Sequence, residues 1–164
     1  MHIRELQLKD FLGVVSLVKN ELGCNDVSSD IYDRIMRIYH EPNYVTFVAK
    51  QSDGIAGFVS VMRGLAFEMD GEYVRVIAMA VRRDCLDSDI SAQLIGKVED
   101  YALEIGAGSI ALTSGLRRTD VHAFYEKMGY RKMGCSFLKL LPVDKEPTYN
   151  ELFSPIPHRE DLLE

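Results

Sequence analysis

The chain has 164 residues, 47% of them hydrophobic and 27% charged, and a formal net charge of −6; one domain with a real core is expected, burying roughly 70% of the unfolded chain's surface. No run of Lys and Arg is present, and doublets such as Arg82-Arg83 and Arg117-Arg118 are too short for an electrostatic footprint, which argues against a nucleic-acid partner. No apolar stretch approaches the ~20 residues that span a bilayer, the charged opening MHIRELQLKD is unlike a signal peptide, and the scattered Cys24, Cys85 and Cys135, without a C-x-x-C pair, speak against a disulfide scaffold or a zinc site; a cytoplasmic protein with reduced thiols, no metal and no membrane contact is expected.

Taken in chain order, Ile3 to Gln7 reads as a first strand. Asp10 can cap a helix whose apolar stripe is Phe11, Val14, Val15, Val18 and Leu22, with Gly23 placed to end it. A second helix is predicted from about Ser29 to Tyr39, facing inward through Ile31, Ile35, Ile38 and Tyr39, and Glu41-Pro42-Asn43 breaks it. YVTFVAKQ and IAGFVSVMRG are rich in β-branched and aromatic residues and are joined by the hairpin turn Ser52-Asp53-Gly54. After a turn at Met69 to Gly71 comes EYVRVIAMAV, Glu72 to Val81, whose last six residues are apolar, as in a central strand buried on both faces.

The loop RRDCLDSD follows and leads into a helix with Ile90, Leu94, Val98, Tyr101, Ala102 and Ile105 on one stripe. SIALT (Ser109 to Thr113) is a buried-strand pattern and SGLRR a loop. Thr119 can cap a short helix presenting Val121, Phe124, Tyr125 and Met128, stopped by Gly129, and YRKMGCSFLKLL gives one or two closing strands. From Pro142 the chain has no clear period. The order is that of a mixed α/β sheet with helices on both faces.

This order, together with TSGLRRTDVHAFYEKMGY (Thr113 to Tyr130) and above all FYEKMGY, resembles the GCN5-related N-acetyltransferases, the GNAT superfamily, over roughly residues 1–141. The resemblance implies a mostly antiparallel central sheet of six to seven strands, splayed between strands four and five, in an N-acetyltransferase-like domain 1–141 with a C-terminal extension 142–164. It implies acetyl transfer from acetyl-CoA to a primary amine on a small molecule or a protein. The pantetheine arm would pair with the backbone of Met79, Ala80 and Val81, and the pyrophosphate would sit at the loop around Asp89, Ser91 and Ala92. Ser114 would line the exit of the fifth strand. Tyr125 would stand at the thioester sulfur, both as a cosubstrate contact and as the acid that protonates the leaving thiolate.

Two departures from the family pattern stand out. Its usual loop carries Arg or Gln, then a Gly, then a Gly or Ala; the matching positions here are Leu86, Asp89 and small Ser91, and Asp87 adds a second carboxylate. Like charges a few ångströms apart cost about 1 to 4 kcal/mol, against about 0.3 to 2 kcal/mol gained by an anion at a helix N-terminus, so the loop reads as a weakened phosphate site. Asp89 also reads as an ordinary N-cap, and Arg82, Arg83 and Lys97 are the nearby cations that would compensate. The family's strand-four Glu is replaced by the apolar surroundings of Ile77. The remaining candidate bases, Glu68, Asp70, Glu72 and His122, read more readily as turn or surface residues, and bulk water can serve instead.

Cys135 is expected to be a small core residue, and Arg117 and Arg118 either meet the cosubstrate phosphates or lie exposed. Two functions follow: an active N-acetyltransferase, or a degenerate member of the fold that binds a ligand or partner without catalysis. The tail, with Phe153, Ile156, Leu162 and Leu163, either packs across a homodimer interface or the acceptor cleft, or is disordered.

Overall fold

A computed structural model describes residues 1–22, 30–68, 70–86, 89–139 and 141. The expectations for Gly23, Cys24, Asp87 and the tail from 142 lie outside these residues. The chain divides into two compact units, Met1–Leu112 and a second beginning at Thr113.

The first unit holds the sheet. Its strands are β1 (His2–Glu5), β2 (Tyr44–Gln51), β3 (Gly54–Leu65), β4 (Glu72–Val81) and β5 (Ser109–Ala111), in that spatial order. β1 to β4 are antiparallel and β5 joins β4 in parallel. The Ser52-Asp53 turn closes β2 onto β3 with Gln51 opposite Gly54, as the sequence predicts. Helix α1 (Phe11–Glu21) and helix α2 (Asp30–His40) cover one face, and α3 (Ile90–Glu104) covers the other.

The pleat sends alternate residues to two cores. Val48, Phe58 and Ala80 join Phe11, Val14 and Leu17 of α1. Phe47, Val59 and Val81 join Ile90, Leu94, Val98 and Ala102 of α3. β3 is the strand buried on both faces, without interruption from Ile55 to Val61. That role was expected of β4, but β4 has a neighbour on its β5 side for only three residues, and Ile77 is 39% exposed.

Asp10 is placed at the start of α1 as expected, yet its side chain makes no cap hydrogen bond there. It is 3% exposed. Its carboxylate accepts two hydrogen bonds from the Arg4 guanidinium, at 2.6 and 2.9 Å, and one from the Gln7 N–H at 3.0 Å. The Arg4 hydrogen bonds hold the Asp10 carboxyl below its ordinary range, against the opposing effect of burial.

The second unit contains α4 (Thr119–Lys127). Among the described residues, the expected closing strands over 130–141 are not formed, so the sheet has five strands rather than six to seven. Residues 131–139 are exposed without alternation, and Gly134 breaks the run at φ +73°, a left-handed conformation foreign to a strand. Cys135 lies in this segment and is exposed, not a core residue.

Candidate active site

The most distinctive feature of the first unit is where β4 and β5 part. They pair from Tyr73↔Ser109 to Arg75↔Ala111, and the ladder ends there, while β4 runs on to Val81. Among the described residues, β4 has no strand neighbour on its β5 side from Val76 to Val81, the stretch that contains Met79, Ala80 and Val81. On its other side β4 stays paired with β3, through Val59↔Met79, Phe58↔Ala80 and Gly57↔Val81. The β3–β4 register slips between Ser60↔Ala78 and Val61↔Val76, so Ile77 is the extra residue of a β-bulge. A bulge bends the strand and re-aims its side chains and amides, and this one sits where the ladder to β5 has just ended.

At the far end of β4 the chain turns through a short 3-10 segment, Arg83–Cys85, and reaches α3. Gly57 explains how β3, the end of β4 and the start of α3 come so close. A Cβ on Gly57 would lie 3.1 Å from the Ala80 carbonyl oxygen, 3.1 Å from Val81 Cγ2 and 3.2 Å from Ile90 Cγ2. Asp89 holds the N-cap position of α3, and its carbonyl accepts the Gln93 N–H at 2.9 Å, but its carboxylate makes no cap hydrogen bond and is exposed. The first-turn amides beside Ser91 and Ala92 are therefore not consumed by the Asp89 side chain.

The three cations expected to compensate for the acidic loop are engaged elsewhere. Arg82 donates to Asp84 at 2.7 Å and to Asp53 at 2.8 Å. Arg83 meets Glu21 through its Nε and its backbone N–H, at 3.3 and 3.4 Å. Lys97 sits 5.6 Å above the Phe47 ring and lines a concavity of about 560 Å³ at the β1 edge with Arg4, Gln7 and Tyr39. Asp53 and Glu21, the partners that decide this, are 29 and 62 residues away along the chain from the arginines they hold. No local pattern could have pointed to them.

In the second unit, Tyr125 is half-buried on α4, with the Phe124 ring at 5.1 Å and the Tyr130 ring at 5.6 Å, both near edge-on. Burial pushes the phenol's pKa up, and Arg118 pulls it partly back. The group therefore stays protonated across neutral pH, as a proton donor must. Ser114 Oγ is buried and has no hydrogen-bond partner among the described residues, and a buried hydroxyl in that state calls for a ligand or a water. His122 Nε2 lies 2.9 Å from the Gly115 carbonyl oxygen, so this residue braces its own loop. Glu68 and Asp70 are exposed, and Glu72 faces Arg63 at 3.9 Å. Arg117 and Arg118 are exposed.

The residues fit an acyl-pantetheine better than they fit its diphosphate. In the first unit, the parted edge of β4 suits an amide-bearing arm; in the second, the Ser114 hydroxyl is a polar group without a partner among the described residues. The diphosphate end offers helix amides without a spare arginine in the loop.

Residues 4–130 match the acetyltransferase (GNAT) family. The chain is 22% identical over 131 residues to the uncharacterized N-acetyltransferase YhdJ of Bacillus subtilis (strain 168), covering 79% of this chain and 92% of that protein. Its fold is similar to that of a GNAT family acetyltransferase of Staphylococcus aureus, with a TM-score of 0.70, 20% identity, and 85% and 98% of the two chains covered. It is also similar to AAC(6')-Iy, solved with the bisubstrate analog CoA-S-monomethyl-acetylneamine, with a TM-score of 0.75, 14% identity, and 87% and 98% covered.

Proposed function

The chain belongs to the GNAT acetyltransferase family, an acyl-CoA-dependent N-acetyltransferase with acetyl-CoA as cosubstrate, and from that premise we propose that it acetylates the primary amine of a small molecule by direct attack in a ternary complex. The observation that carries this reading is the ladder between β4 and β5, which among the described residues stops at Arg75↔Ala111 while β4 continues to Val81. AAC(6')-Iy, whose acceptor portion in the bisubstrate complex is an acetylneamine, favours a small polyamine as acceptor class.

Acetyl-CoA supplies an activated thioester carbonyl. The backbone from Val76 to Val81 holds the pantetheine arm, with amides near the Ile77 bulge placed for the developing oxyanion, whose stabilisation by fixed donors is worth several kcal/mol in a dry site. The amine nitrogen forms the new C–N bond as the C–S bond breaks. The Tyr125 phenol gives its proton to the departing sulfur and regains one from solvent, and the amine's surplus proton leaves to water, since β4 carries no carboxylate near the bulge. Ser114 contributes a hydroxyl to the cosubstrate, and Ser91 and Ala92 contribute first-turn amides to the diphosphate.

A second reading, a fold kept without catalysis, has one observation in its favour: Arg82 and Arg83 are both ion-paired within the protein while the Asp89 carboxylate stands exposed at the start of α3. The deciding experiment is thiol release from acetyl-CoA across a panel of amines, including neamine and amino-terminal peptides. Turnover with intersecting double-reciprocal lines is expected. Parallel lines would contradict the ternary complex, and thiol release no faster than the uncatalysed rate with every amine would favour the second reading.

A further inference from the structure

A phosphate-holding turn usually owes its shape to glycine, whose backbone reaches conformations closed to other residues. No glycine occurs between Arg82 and Ile95, and no described non-glycine residue has a positive φ. Backbone hydrogen bonds close the turn at the end of β4, and side chains brace it from outside.

Arg82 is the centre of that arrangement. Its backbone N–H donates to the Ala56 carbonyl at 2.8 Å, and its own carbonyl accepts the Cys85 N–H at 2.9 Å, closing the 3-10 turn. Its guanidinium reaches in two directions at once. Nε donates to Asp84 inside the turn at 2.7 Å, and Nη2 donates to Asp53 at the tip of the β2–β3 hairpin at 2.8 Å. The same Nη2 lies 3.5 Å from the sulfur of buried Cys85. Asp84 and Asp53 both push the ionisation of Arg82 further up, so the cation is permanent. Of the two carboxylates, Asp53 alone lies outside the loop, and it ties the loop to the β2–β3 hairpin.

We propose that Asp53 is a positioning residue for acetyl-CoA: by holding Arg82 in the Asp53–Arg82–Asp84 bridge it braces the Arg83–Cys85 turn, on the path from β4 to the α3 N-terminus that would meet the diphosphate. This rests on the acetyl-CoA reading above, and it assigns Arg82 a structural task rather than direct phosphate contact. The two roles predict opposite signs. If Arg82 shaped nothing and could meet phosphate directly, removing the Asp53 charge would release it and tighten cosubstrate binding. If the bridge shapes the turn, removing that charge weakens binding.

The test is Asp53→Asn, with Asp53→Glu as the conservative rescue. Readouts are calorimetric CoA affinity, KM and kcat for acetyl-CoA, and hydrogen exchange at the Cys85 and Leu86 amides without cosubstrate. Asp53 is 58% exposed at its side chain, so both variants should fold. The expected result is a rise of about two- to fivefold in Kd and KM, the range open to an exposed ion pair, with kcat at saturation unchanged. Amide exchange should be faster at Cys85 and Leu86, and Asp53→Glu should recover both properties. Unchanged or tighter CoA binding, a fall in kcat alone, or unchanged exchange would overturn the proposal. If the wild type binds no CoA, the functional reading fails, and the exchange measurement alone then decides whether Asp53 shapes the turn.

Discussion

The two units spend their side chains differently. In Met1–Leu112, β3 is enclosed from Ile55 to Val61, and α3 buries Ile90, Leu94, Ile95, Val98 and Ala102. From Thr113 onward α4 has no fully buried residue and 131–139 are exposed throughout, yet this part carries the Tyr125 phenol with its raised pKa. A well-enclosed unit converts a substitution into lost stability, because cavities in a packed core cannot relax. A thinly enclosed one can tolerate the same change and show it in chemistry instead. On the proposed function, the first unit supplies scaffold and cosubstrate edge and the second supplies the proton.

The strongest way to break that contrast is at Leu94, which is wholly buried. Leu94→Ala should lower the unfolding free energy by about 2 to 5 kcal/mol, read by urea denaturation; a loss under about 1 kcal/mol would mean that the α3 core is looser than its burial indicates. Next comes Asp10. Because Arg4 depresses its folded pKa, the pair's contribution is complete above the unfolded value of about 3.9 and is lost as pH falls through the lower folded value. Asp10→Asn should cost about 2 kcal/mol at neutral pH, as expected when charge-assisted hydrogen bonds to a part-exposed Arg4 are lost. Its stability curve should also lack this component of the wild type's decline in acid. Identical acid limbs in the two proteins would show that Asp10 is not the titrating group.

Tyr125→Phe tests the other side of the contrast. It should reduce kcat by about 10²-fold, the lower end for a lost general acid, while unfolding stays within about 1 kcal/mol of wild type. With burial holding the phenol protonated, kcat should show no limb from Tyr125 below about pH 10. A large stability loss with kcat retained would make Tyr125 a packing residue. The mildest probe is thiol labelling under native conditions, followed by peptide mapping. Cys135 should react readily and Cys85 only on unfolding, and a protected Cys135 would mean that 131–139 is covered in solution.

What the sequence revealed follows from where the information resides. Period alone placed β4 at Glu72–Val81 and gave the inward stripe of α3, because a helix or strand face is written in consecutive residues. It also placed α1 and α2 to within a residue or two over their described ends. Strand-like composition over 130–141 misled, since a strand also needs a ladder partner, and composition carries no record of one.

The candidate site was harder to read for the same reason. Asp10 has the right residue type and place for a cap, but Arg4, six residues earlier, takes its carboxylate. Arg82 and Arg83 look like phosphate ligands until the distant Asp53 and Glu21 are seen to hold them. Sequence gave residue types and faces; partners brought together by the fold decided what the charged side chains are available to do.

The most direct test of the division between scaffold and proton source is a calorimetric titration of acetyl-CoA into the wild type and into Tyr125→Phe, followed by thiol release with an accepted amine. The account predicts micromolar binding of similar strength to both proteins, with rapid thiol release by the wild type alone. No binding to the wild type up to millimolar acetyl-CoA, or equal turnover by the two proteins, would contradict it.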